Sequence, residues 1–539
     1  MALEYTEEKL NSLDKETVIQ LFLSQQEQLK QIDQTLQLVL EQVADLKRHR
    51  FGRSSERHET EAQISFMEVD GKIVFFNEAE AVTEEEAGEA AETATRQKPK
   101  KRQGKREGDL SGLPVVVIEH SMPEEELEER FGKDGFKQLP DEVYRRYGFT
   151  PAKVEVEEHH VKVYVGNKTD EIVRAPHPEC LLRGSLVSPS LEAAVINAKY
   201  VNAVPLYRQE QEFERYGLHI SRQNMANWTI QCADRYLAVL YDYLHEKIYD
   251  YHVLQADETP VLVNKDGRPA GAKSFMWVYR TGRMYTNRQI FLYEYQKTRN
   301  ASHPREFLKD FSGICVTDGY QVYHTVETER EDLKIAGCWS HARRRFDEAV
   351  KALPKAMRKD SRAYLALTMI QAIYREEKRL NDLPAEERKT RRQLSVRPLV
   401  EAYFTWAREN ILKVPQKSKT WDGFNYSINQ EKYLKVFLDD GEVPMDNNAA
   451  EQSIRGFCIG KKNWVMIDTI AGAKSSAIIY SIAETAKANN LKPYDYFEYL
   501  LTEIPKHLDD TDRSFLDDLL PWSPNLPANY RNPGKEEMK

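Results

Sequence analysis

The segment YHVLQADETP, residues 251–260, is an apolar run that ends on the carboxylate of Asp257. Two more strand-like runs follow, SFMWVYRT at 274–281 and RQIFLYEY at 288–295, with glycine-containing turn sequence before them. A short helical pattern, HPREFLKDF, leads to GICVTDGY, where another strand ends on Asp318, and LKIAGCWSH adds one more strand. Short β-branched and aromatic runs bounded by turn residues are typical of strands. The region therefore predicts five strands with short helices between them.

The order strand, strand, strand, helix, strand, helix, strand is that of a ribonuclease-H-like fold, a mixed sheet with helices on both faces. In this arrangement the first and fourth strands are neighbours, so Asp257 and Asp318, which we expect to close them, point into one cleft. Glu451 supplies a third acid from a later helix, in MDNNAAEQSIRGFCIGKKNW, which Asn447 or Asn448 caps. Three converging carboxylates suit two divalent cations about 3.5 to 4 Å apart. This predicts in-line phosphoryl transfer on a phosphodiester with two Mg²⁺ ions, for which Mn²⁺ can substitute.

The spacing of the acids predicts an inserted segment. Asp257 and Asp318 are 61 residues apart, but Asp318 and Glu451 are 133 apart, far more than such a core needs. Residues 353–442 are helix-like, with prolines breaking the pattern and the basic run RKTRRQLSVR inside it. We therefore expect an all-helical insertion between the last strand and the Glu451 helix.

The N-terminal region has a heptad pattern with about four repeats. Its apolar positions are Val18, Phe22, Leu29, Ile32, Leu36, Val39, Val43 and Leu46. A narrow apolar stripe of this period predicts a parallel coiled-coil dimer, and an amphipathic helix folded back on its own domain is the alternative. The stripe runs into KRHRFGRSSER, whose Arg48, Arg50 and Arg53 either contact DNA phosphates or form a solvated helix end.

Three further segments separate this helix from the strands. Residues 58–110 contain a Glu-rich run and then RQKPKKRQGKR, which predicts a flexible linker with acidic and basic halves. VEVEEHHVKVYV, residues 154–165, predicts a β-hairpin or a small sheet with His159 and His160 at its turn. Between residues 205 and 232 we expect a helix, a turn at Gly217, a cap at Ser221 and a second helix that begins with Arg222. This spacing is that of a helix-turn-helix, although helical bundles that never bind DNA also contain it.

Composition restricts the class of protein. A chain of 539 residues with 41% apolar and 30% charged residues corresponds to several packed domains. No apolar run approaches the roughly 18 residues of a membrane span, and the start lacks the pattern of a secretion signal. The five cysteines form no CxxC pair, which argues against disulfides and a cysteine-rich zinc site. The net charge of −9 hides local basic clusters, so nucleic-acid binding is not excluded. We expect a cytoplasmic protein without a membrane partner.

Six ordered motifs resemble the bacterial insertion-sequence transposases of the IS66 family. They are DETPV at 257–261, TDGY at 317–320, CWSHARRRFDEA at 338–349, DNNAAEQSIR at 446–455, GKKNW at 460–464 and IYSIAETAKANNL at 479–491. FGRSSE at 51–56 and PLYRQEQEF at 205–213 extend the resemblance over most of the chain. The resemblance implies a DDE transposase in which Asp257, Asp318 and Glu451 bind the metal ions. It also implies that Cys338 and His341 are the C-x-x-H signature of DDE enzymes with a helical insertion.

One stretch departs from the family pattern. Members often carry a cysteine-paired zinc finger after the N-terminal helix, but residues 111–173 contain no cysteine, so we do not expect zinc there. Cys338 and His341 alone provide too few ligands for structural zinc, and we expect them to support the sheet. Glu258 competes with Asp257 for the site, but alternation along a strand sends neighbours to opposite faces.

Several cations are expected to contact DNA. Arg455 lies one turn after Glu451, and Lys461 and Lys462 follow on the same helix. Trp464 either stacks on a base or packs in the core. For the run Arg343–Arg345, phosphate contact and solvation are both consistent with the sequence, because only one or two of its members share a helix face.

The sequence thus predicts a multi-domain α+β protein. The expected order is a coiled-coil helix with a basic segment (1–57), linker (58–110), small β module (111–183), helix-turn-helix-like unit (184–248), ribonuclease-H-like core (249–352), helical insertion (353–442), core helix with Glu451 (443–490) and helical tail (491–539). We expect a dimeric or larger DNA transposase that binds element ends and target DNA, with accessory proteins of the same element as further partners. The alternatives are a DNA-binding derivative that does not cut and a nuclease without strand transfer.

The heptad pattern generates a prediction about assembly. If residues 18–46 form a coiled coil, the full-length chain sediments as a dimer or larger, and Leu36→Asp dissociates it because a charge cannot be buried in the seam. Analytical ultracentrifugation measures this. A wild-type monomer, or a variant with unchanged mass, would leave only the folded-back helix.

Overall fold

The computed structural model describes residues 180–269 and 271–532, together with the shorter segments 66–69, 72–76, 81–83, 122–133, 153–165 and 172–176 and residues 15, 23, 26 and 117. All eight apolar positions of the heptad pattern lie outside the described residues; between them only Leu23 and Gln26 are described, and both are helical. The basic segment with Arg48, Arg50 and Arg53 lies outside them entirely.

Three short strands lie near the N-terminus, where we expected only linker. They are β1 Phe66–Val69, β2 Lys72–Phe76 and β3 Ala81–Thr83, and they form an antiparallel sheet in the order β1-β2-β3. Val69 pairs with Lys72 across Asp70-Gly71, a dipeptide that favours tight hairpin turns. The linker prediction was therefore wrong for the residues of these strands. Their short apolar runs were overlooked because a Glu-rich run follows them closely.

The small β module differs from its predicted register. Helix α1 (Glu124–Phe131) is followed by a hairpin of β4 (Val163–Val165) and β5 (Ile172–Arg174). His159 and His160 therefore precede the hairpin and do not lie at its turn. Each instead lies beside a glutamate two residues before it in the chain. The predicted position of the turn was wrong. The residues that favour a turn are GNKTD at 166–170, which follow β4 in the sequence.

A helical unit precedes the main sheet. Its helices are α2 Pro189–Ile196, α3 Leu206–Arg215, α4 Arg222–Cys232 and α5 Ala238–Ile248, with π-helical turns at Asn197–Val201 and Ala233–Leu237. Gly217 has φ +78° in the turn after α3, and the Ser221 hydroxyl accepts a hydrogen bond from the Asn224 N–H at the start of α4. The helix, turn, cap and second helix thus lie where their spacing predicted them.

The central sheet is mixed. Its strands are β6 Val253–Lys265, β7 Lys273–Thr281, β8 Phe291–Gln296, β9 Gly313–Val316, β10 Leu333–Ala336 and β11 Ile467–Thr469. The order is β10-β9-β6-β7-β8, and β11 also pairs with β6. The antiparallel β6, β7 and β8 form a meander, whereas β9, β10 and β11 run parallel to their partners. The first and fourth strands, β6 and β9, are therefore neighbours.

One edge of β6 is paired at both ends and open in the middle. β9 pairs with residues 253–255 of β6, and β11 pairs with Val263 and Lys265. On this side residues 256–262 have no strand partner among the described residues. β7 meanwhile pairs continuously with residues 254–262 on the other edge, and pairing with β11 carries β6 on to Lys265. Asp257 therefore lies inside the strand, and the prediction that it closes the strand was wrong. What ends beside it is the parallel partner β9.

Helices cover both faces of the sheet. They are α6 Ser302–Phe307, α7 Gln321–Thr328, α8 Trp339–Ala352, α9 Arg362–Lys378, α10 Ala385–Arg391, α11 Arg397–Ile411, α12 Lys419–Asn429, α13 Glu431–Leu434, α14 Asn448–Trp464, α15 Ile470–Ala488, α16 Pro493–Glu503 and α17 Phe515–Leu519. A π-helical turn spans Arg392–Val396, and 3-10 turns lie at Lys355–Met357, Val436–Asp439, Ile504–His507 and Ala528–Tyr530. Every regular element between residues 353 and 442 is helical.

Two hydrophobic cores hold these layers. The larger packs the sheet against α15, α16 and the N-terminal helical unit. The second joins α8 and the helices of residues 353–442 to the edge of the sheet through Val253, Ile314, Val316 and Ala336. The helical insertion is therefore part of the fold and not an appendage. Among the described residues, no helix combines the length and the hydrophobicity required to cross a membrane.

The buried Glu192 generates a prediction about stability. Burial raises its pKa to about 8, and its only hydrogen bond is from the Thr229 hydroxyl, at 2.8 Å. The pKa of Glu192 is higher in the folded chain than in the unfolded chain. The free energy of unfolding that Glu192 supports at low pH is therefore lost as the pH rises toward 8. Glu192→Gln should therefore raise the free energy of unfolding at pH 8.5 by on the order of 2 kcal/mol and change it little at pH 5. Thermal melting at the two pH values measures this, and equal shifts at both would contradict it.

Candidate active site

Asp257 lies on β6 in the open part of the strand edge. Its Oδ1 accepts a hydrogen bond from the Glu258 N–H at 2.9 Å. Burial raises its pKa well above the usual range, and the charges of Glu258, Asp318 and Glu451 raise it further. Asp257 therefore lies within electrostatic reach of both other predicted acids, Asp318 and Glu451.

Asp318 follows β9 by two residues, in a tight loop. Its Oδ1 accepts a hydrogen bond from the Tyr320 N–H at 2.9 Å, and its backbone oxygen accepts one from the Tyr426 hydroxyl at 2.9 Å. Gly319 has φ +90°, and a Cβ there would lie 2.9 Å from the Tyr426 hydroxyl oxygen. The loop therefore requires glycine, and α12 of the helical insertion holds it in place.

Glu451 lies in the first turn of α14, and Asn447 at the N-cap position fixes this helix to β6. The Asn447 amide donates to the Ala256 carbonyl oxygen at 2.7 Å and accepts from Gln255 Nε2 at 3.2 Å. Its backbone N–H donates to Cys338 Sγ at 3.2 Å. Asn447 thus occupies the predicted cap position, but its side chain binds the strand and makes no cap hydrogen bond.

Glu258, the rival of Asp257, lies next to the same cluster on the other side of β6. Its side chain is almost fully buried, it pairs with Arg299, and the Tyr323 hydroxyl donates to it at 3.4 Å. Burial and the charge of Asp318 raise its pKa to about 7. Arg299 also lies 3.9 Å from Asp318, so this arginine links the two acids.

Cys338 and His341 have different environments. Cys338 is fully buried, and burial raises its thiol pKa well above the usual range, so the protonated sulfur serves as the hydrogen-bond acceptor for Asn447. His341 Nδ1 lies 3.7 Å from Glu451 Oε1, and burial lowers its pKa. Their ligand atoms and those of Glu451 lie within 4.8 Å of one another, the one such trio in the described part of the chain. His341 therefore lies at the acid cluster, whereas we had expected it to support the sheet.

The donor set fits hard divalent cations. Glu451 Oε1 is buried without a hydrogen-bond partner, while its Oε2 accepts from Arg344 at 2.9 Å. Asp257 is buried among like charges that raise its pKa. Each acid thus keeps at least one carboxylate oxygen without a hydrogen-bond donor among the described residues, and carboxylate oxygens are the ligands that Mg²⁺ and Mn²⁺ prefer. Asp257, Asp318 and Glu451 are therefore the residues that could hold such ions.

The cations expected to contact DNA lie on two different helices, α4 and α14. Arg222 lies exposed at the start of α4, where its guanidinium is 5.6 Å from the Tyr207 ring centroid. Arg455 and Lys462 are exposed on α14, whereas Lys461 Nζ donates to the Pro260 carbonyl oxygen at 2.8 Å. Trp464 packs against Tyr200 and Tyr480 and therefore belongs to the core.

Within the basic run after Cys338, two arginines face the site. Arg344 pairs with Glu451, and the Arg345 guanidinium lies 4.4 Å from the Tyr426 ring centroid. Arg344 therefore lies beside an acid of the site, and Arg345 lies beside Tyr426, which holds the Asp318 loop. The sequence of three consecutive arginines did not indicate which of them would face the site.

Gln255 and Tyr426 were not anticipated as site residues. The sequence offered one signal for Gln255, a polar side chain within an apolar run two residues before Asp257, and the structure buries this side chain fully. Nothing in the sequence near Tyr426 indicates that it contacts Asp318, because the two are 108 residues apart.

Comparisons with known proteins match this region. A family model described as "Transposase IS66 family" matches residues 184–475, more than half of the 539 residues and all three acids. An "IS66 C-terminal element" matches residues 481–522, and "Transposase C of IS166 homeodomain" matches residues 39–118.

Curated relatives match most of the chain. The uncharacterized protein y4qI of Sinorhizobium fredii (strain NBRC 101917 / NGR234) is 28% identical over 497 residues, covering 89% of this chain and 87% of that protein. The uncharacterized protein y4jD of the same organism is 26% identical over 362 residues, covering 65% of this chain and 69% of that protein.

The contacts of Asn447 generate a prediction. Asn447→Ala leaves the Ala256 carbonyl oxygen without its donor in the core and removes one of the two acceptors of Gln255 Nε2, so we expect the free energy of unfolding to fall by about 2 to 4 kcal/mol. Asn448→Ala is the matched control, because the structure uses only the backbone N–H of Asn448, which donates to Asp446. It should change stability by less than about 0.5 kcal/mol. Thermal melting of the two full-length variants measures this, and equal melting temperatures would contradict the role of the Asn447 side chain.

Proposed function

Because the chain belongs to the IS66 transposase family, we propose that it is a DDE transposase that cuts DNA strands at the ends of its own insertion sequence and joins them to target DNA. The observation that carries the proposal is the placement of three acids at the open edge of β6: Asp257 lies on this strand, Asp318 follows its neighbour β9, and Asn447 fixes the start of the Glu451 helix to Ala256. Three acids from a strand, a strand end and a helix are the arrangement that metal-dependent phosphoryl transfer uses.

We propose that these carboxylates hold two Mg²⁺ ions, for which Mn²⁺ can substitute. When bound, the ions supply the positive charge that stabilises the attacking and leaving oxygens of the phosphodiester. Water is the nucleophile of strand cleavage, and the liberated 3′-hydroxyl is that of strand transfer. This acid cluster within a mixed sheet is also what supports a ribonuclease-H-like core.

Residues of the chain fix the geometry of this chemistry. Asn447 sets Glu451 relative to the strand of Asp257, and Tyr426 holds the Asp318 loop. Arg344 donates a hydrogen bond to one oxygen of Glu451 and so holds the carboxylate in one orientation. Positioning of this kind accounts for much of the rate in phosphoryl transfer.

DNA recognition is assigned to the N-terminal half. The match to a transposase homeodomain region at residues 39–118 and the helix-turn-helix spacing of α3 and α4 support end binding. The heptad pattern supports a dimer that pairs two ends. Accessory proteins encoded by the same element are further expected partners.

The triad generates a prediction about metal and cleavage. Asp257→Asn, Asp318→Asn and Glu451→Gln each remove a metal ligand, so each should abolish cleavage in Mg²⁺ and lose at least one of two bound Mn²⁺ ions. Binding of end DNA should remain, because other segments supply it. Cleavage of a duplex that carries the inverted repeat flanking the coding region, together with Mn²⁺ titration by electron paramagnetic resonance, measures both effects.

Two controls sharpen this experiment. Glu294→Gln removes a buried acid on β8 whose pKa burial raises to about 7, and it should keep two ions and cleavage. Glu258→Gln tests the neighbouring acid and should also keep two ions. A triad variant with near-normal cleavage would remove that residue from the site. A wild-type chain that binds end DNA and never cuts would instead support a DNA-binding derivative without catalysis.

A further inference from the structure

The chain leaves helix α14 through a strained turn. Val465 has φ +64° and ψ −50°, and the Met466 N–H donates to the Trp464 carbonyl oxygen at 2.7 Å. This is the rarer hand of the γ-turn, which is unfavourable for any L-residue and especially for a β-branched one. Strain of this kind costs on the order of 1 to 3 kcal/mol and is concentrated at functional sites.

The strained turn presents apolar side chains to solvent. Val465 is 58% exposed and Met466 is 44% exposed. Leu262, which is 36% exposed, lies beside them, because β6 and β11 pair in register from Val263 and Ile467 onward. We call Leu262, Val465 and Met466 the apolar tip. The preceding aromatic residue, Trp464, is packed inside, so the tip does not arise from a poorly folded helix end.

The apolar tip lies on a line that begins at the acid cluster. Glu451, Arg455 and Lys462 are separated by 4 and 7 residues on α14, which places them within roughly 40° of one another around the helix. Arg455 and Lys462 are exposed, and in the described part of the chain no acid pairs with either. A cationic stripe thus connects the acids to the tip. Its charge complements a DNA backbone rather than an apolar protein surface.

The length of the helix sets the position of the tip on DNA. Fourteen residues separate Glu451 from Val465, which corresponds to about 21 Å along the helix axis. At about 3.4 Å per base pair, a duplex that follows the helix reaches the tip about six base pairs from the phosphate at Glu451.

We propose that the apolar tip inserts between base pairs of the bound duplex, about six base pairs from the cleaved phosphate, and unstacks them. The inference rests on the proposed function and adds a binding site for a base step. Apolar side chains that enter a DNA groove unstack base steps and kink the duplex. Arg455 and Lys462 hold the backbone between the acids and the tip, and the strained turn keeps Val465 directed outward.

The test uses the full-length protein and a duplex that carries the inverted repeat flanking the coding region. 2-Aminopurine, whose fluorescence rises when it is unstacked, replaces single bases across the repeat before any divalent cation is added. We expect a several-fold rise confined to about six base pairs from the cleavage site. The double variant Val465→Asn with Met466→Ser removes the apolar atoms, and asparagine tolerates positive φ, so the fold is retained.

The matched control is Leu412→Asn, which removes an apolar side chain that is 85% exposed on the helical insertion. The control should keep the fluorescence rise and wild-type cleavage. The tip variant should lose the rise, bind the repeat within about two-fold of wild type and cut it slowly. A mismatch placed at the unstacked step should restore its cleavage, a rescue that a folding defect would not show.

Several outcomes would overturn the proposal. No localised rise with the wild type, or a rise that persists in the tip variant, would show that the tip does not enter DNA. Loss of a wild-type oligomer in the tip variant by sedimentation would assign the tip to a second copy of the chain. If the wild type binds and cuts the repeat without unstacking, this inference fails alone. If it neither binds nor cuts, the proposed function fails as well.

Discussion

The side chain of Asn447 is the contact on which the arrangement of the site depends. The residue joins three elements that are far apart in sequence: its side chain binds strand β6 at Ala256 and Gln255, its backbone N–H binds Cys338 at the start of α8, and it stands at the N-cap position of helix α14. All these groups are buried, so each hydrogen bond replaces one that water would otherwise make. A change in this contact therefore alters both the stability of the fold and the position of Glu451.

The open edge of β6 explains why the acids can meet. A parallel strand that continued past Gln255 would cover Asp257, but β9 ends there, and β11 begins only at Val263. This gap leaves the edge of β6 open to α14 and to the loop of Asp318. The helical insertion closes the same region from the side, because α12 supports that loop and the Tyr433 carbonyl oxygen accepts from the Gly337 N–H. The insertion and the site therefore form one structural unit.

The sequence was sufficient for the order of strands, the helical nature of residues 353–442 and the adjacency of the strands that carry Asp257 and Asp318. These follow from local periodicity and from spacing, which a single chain displays. It was not sufficient for the length of β6, since that strand is extended by pairing with β7 up to Leu262 and with the distant β11 up to Lys265. Nor could it show that His341 lies against Glu451, because that contact joins residues 110 positions apart. The hairpin at 163–174 was misplaced because strand propensity extends over residues that do not pair. The metal ligands themselves remain predictions.

The late position of Glu451 has a consequence during protein synthesis. The segments assigned to DNA binding leave the ribosome first, and Glu451 follows Asp318 by 133 residues, about 7 to 27 seconds at usual elongation rates. Until α14 emerges and Asn447 docks on β6, a nascent chain has two of the three acids and cannot complete the cluster. Such a chain could occupy DNA near its own gene without being able to cut it. The time needed to translate the helical insertion would then set the delay between DNA binding and the ability to cut.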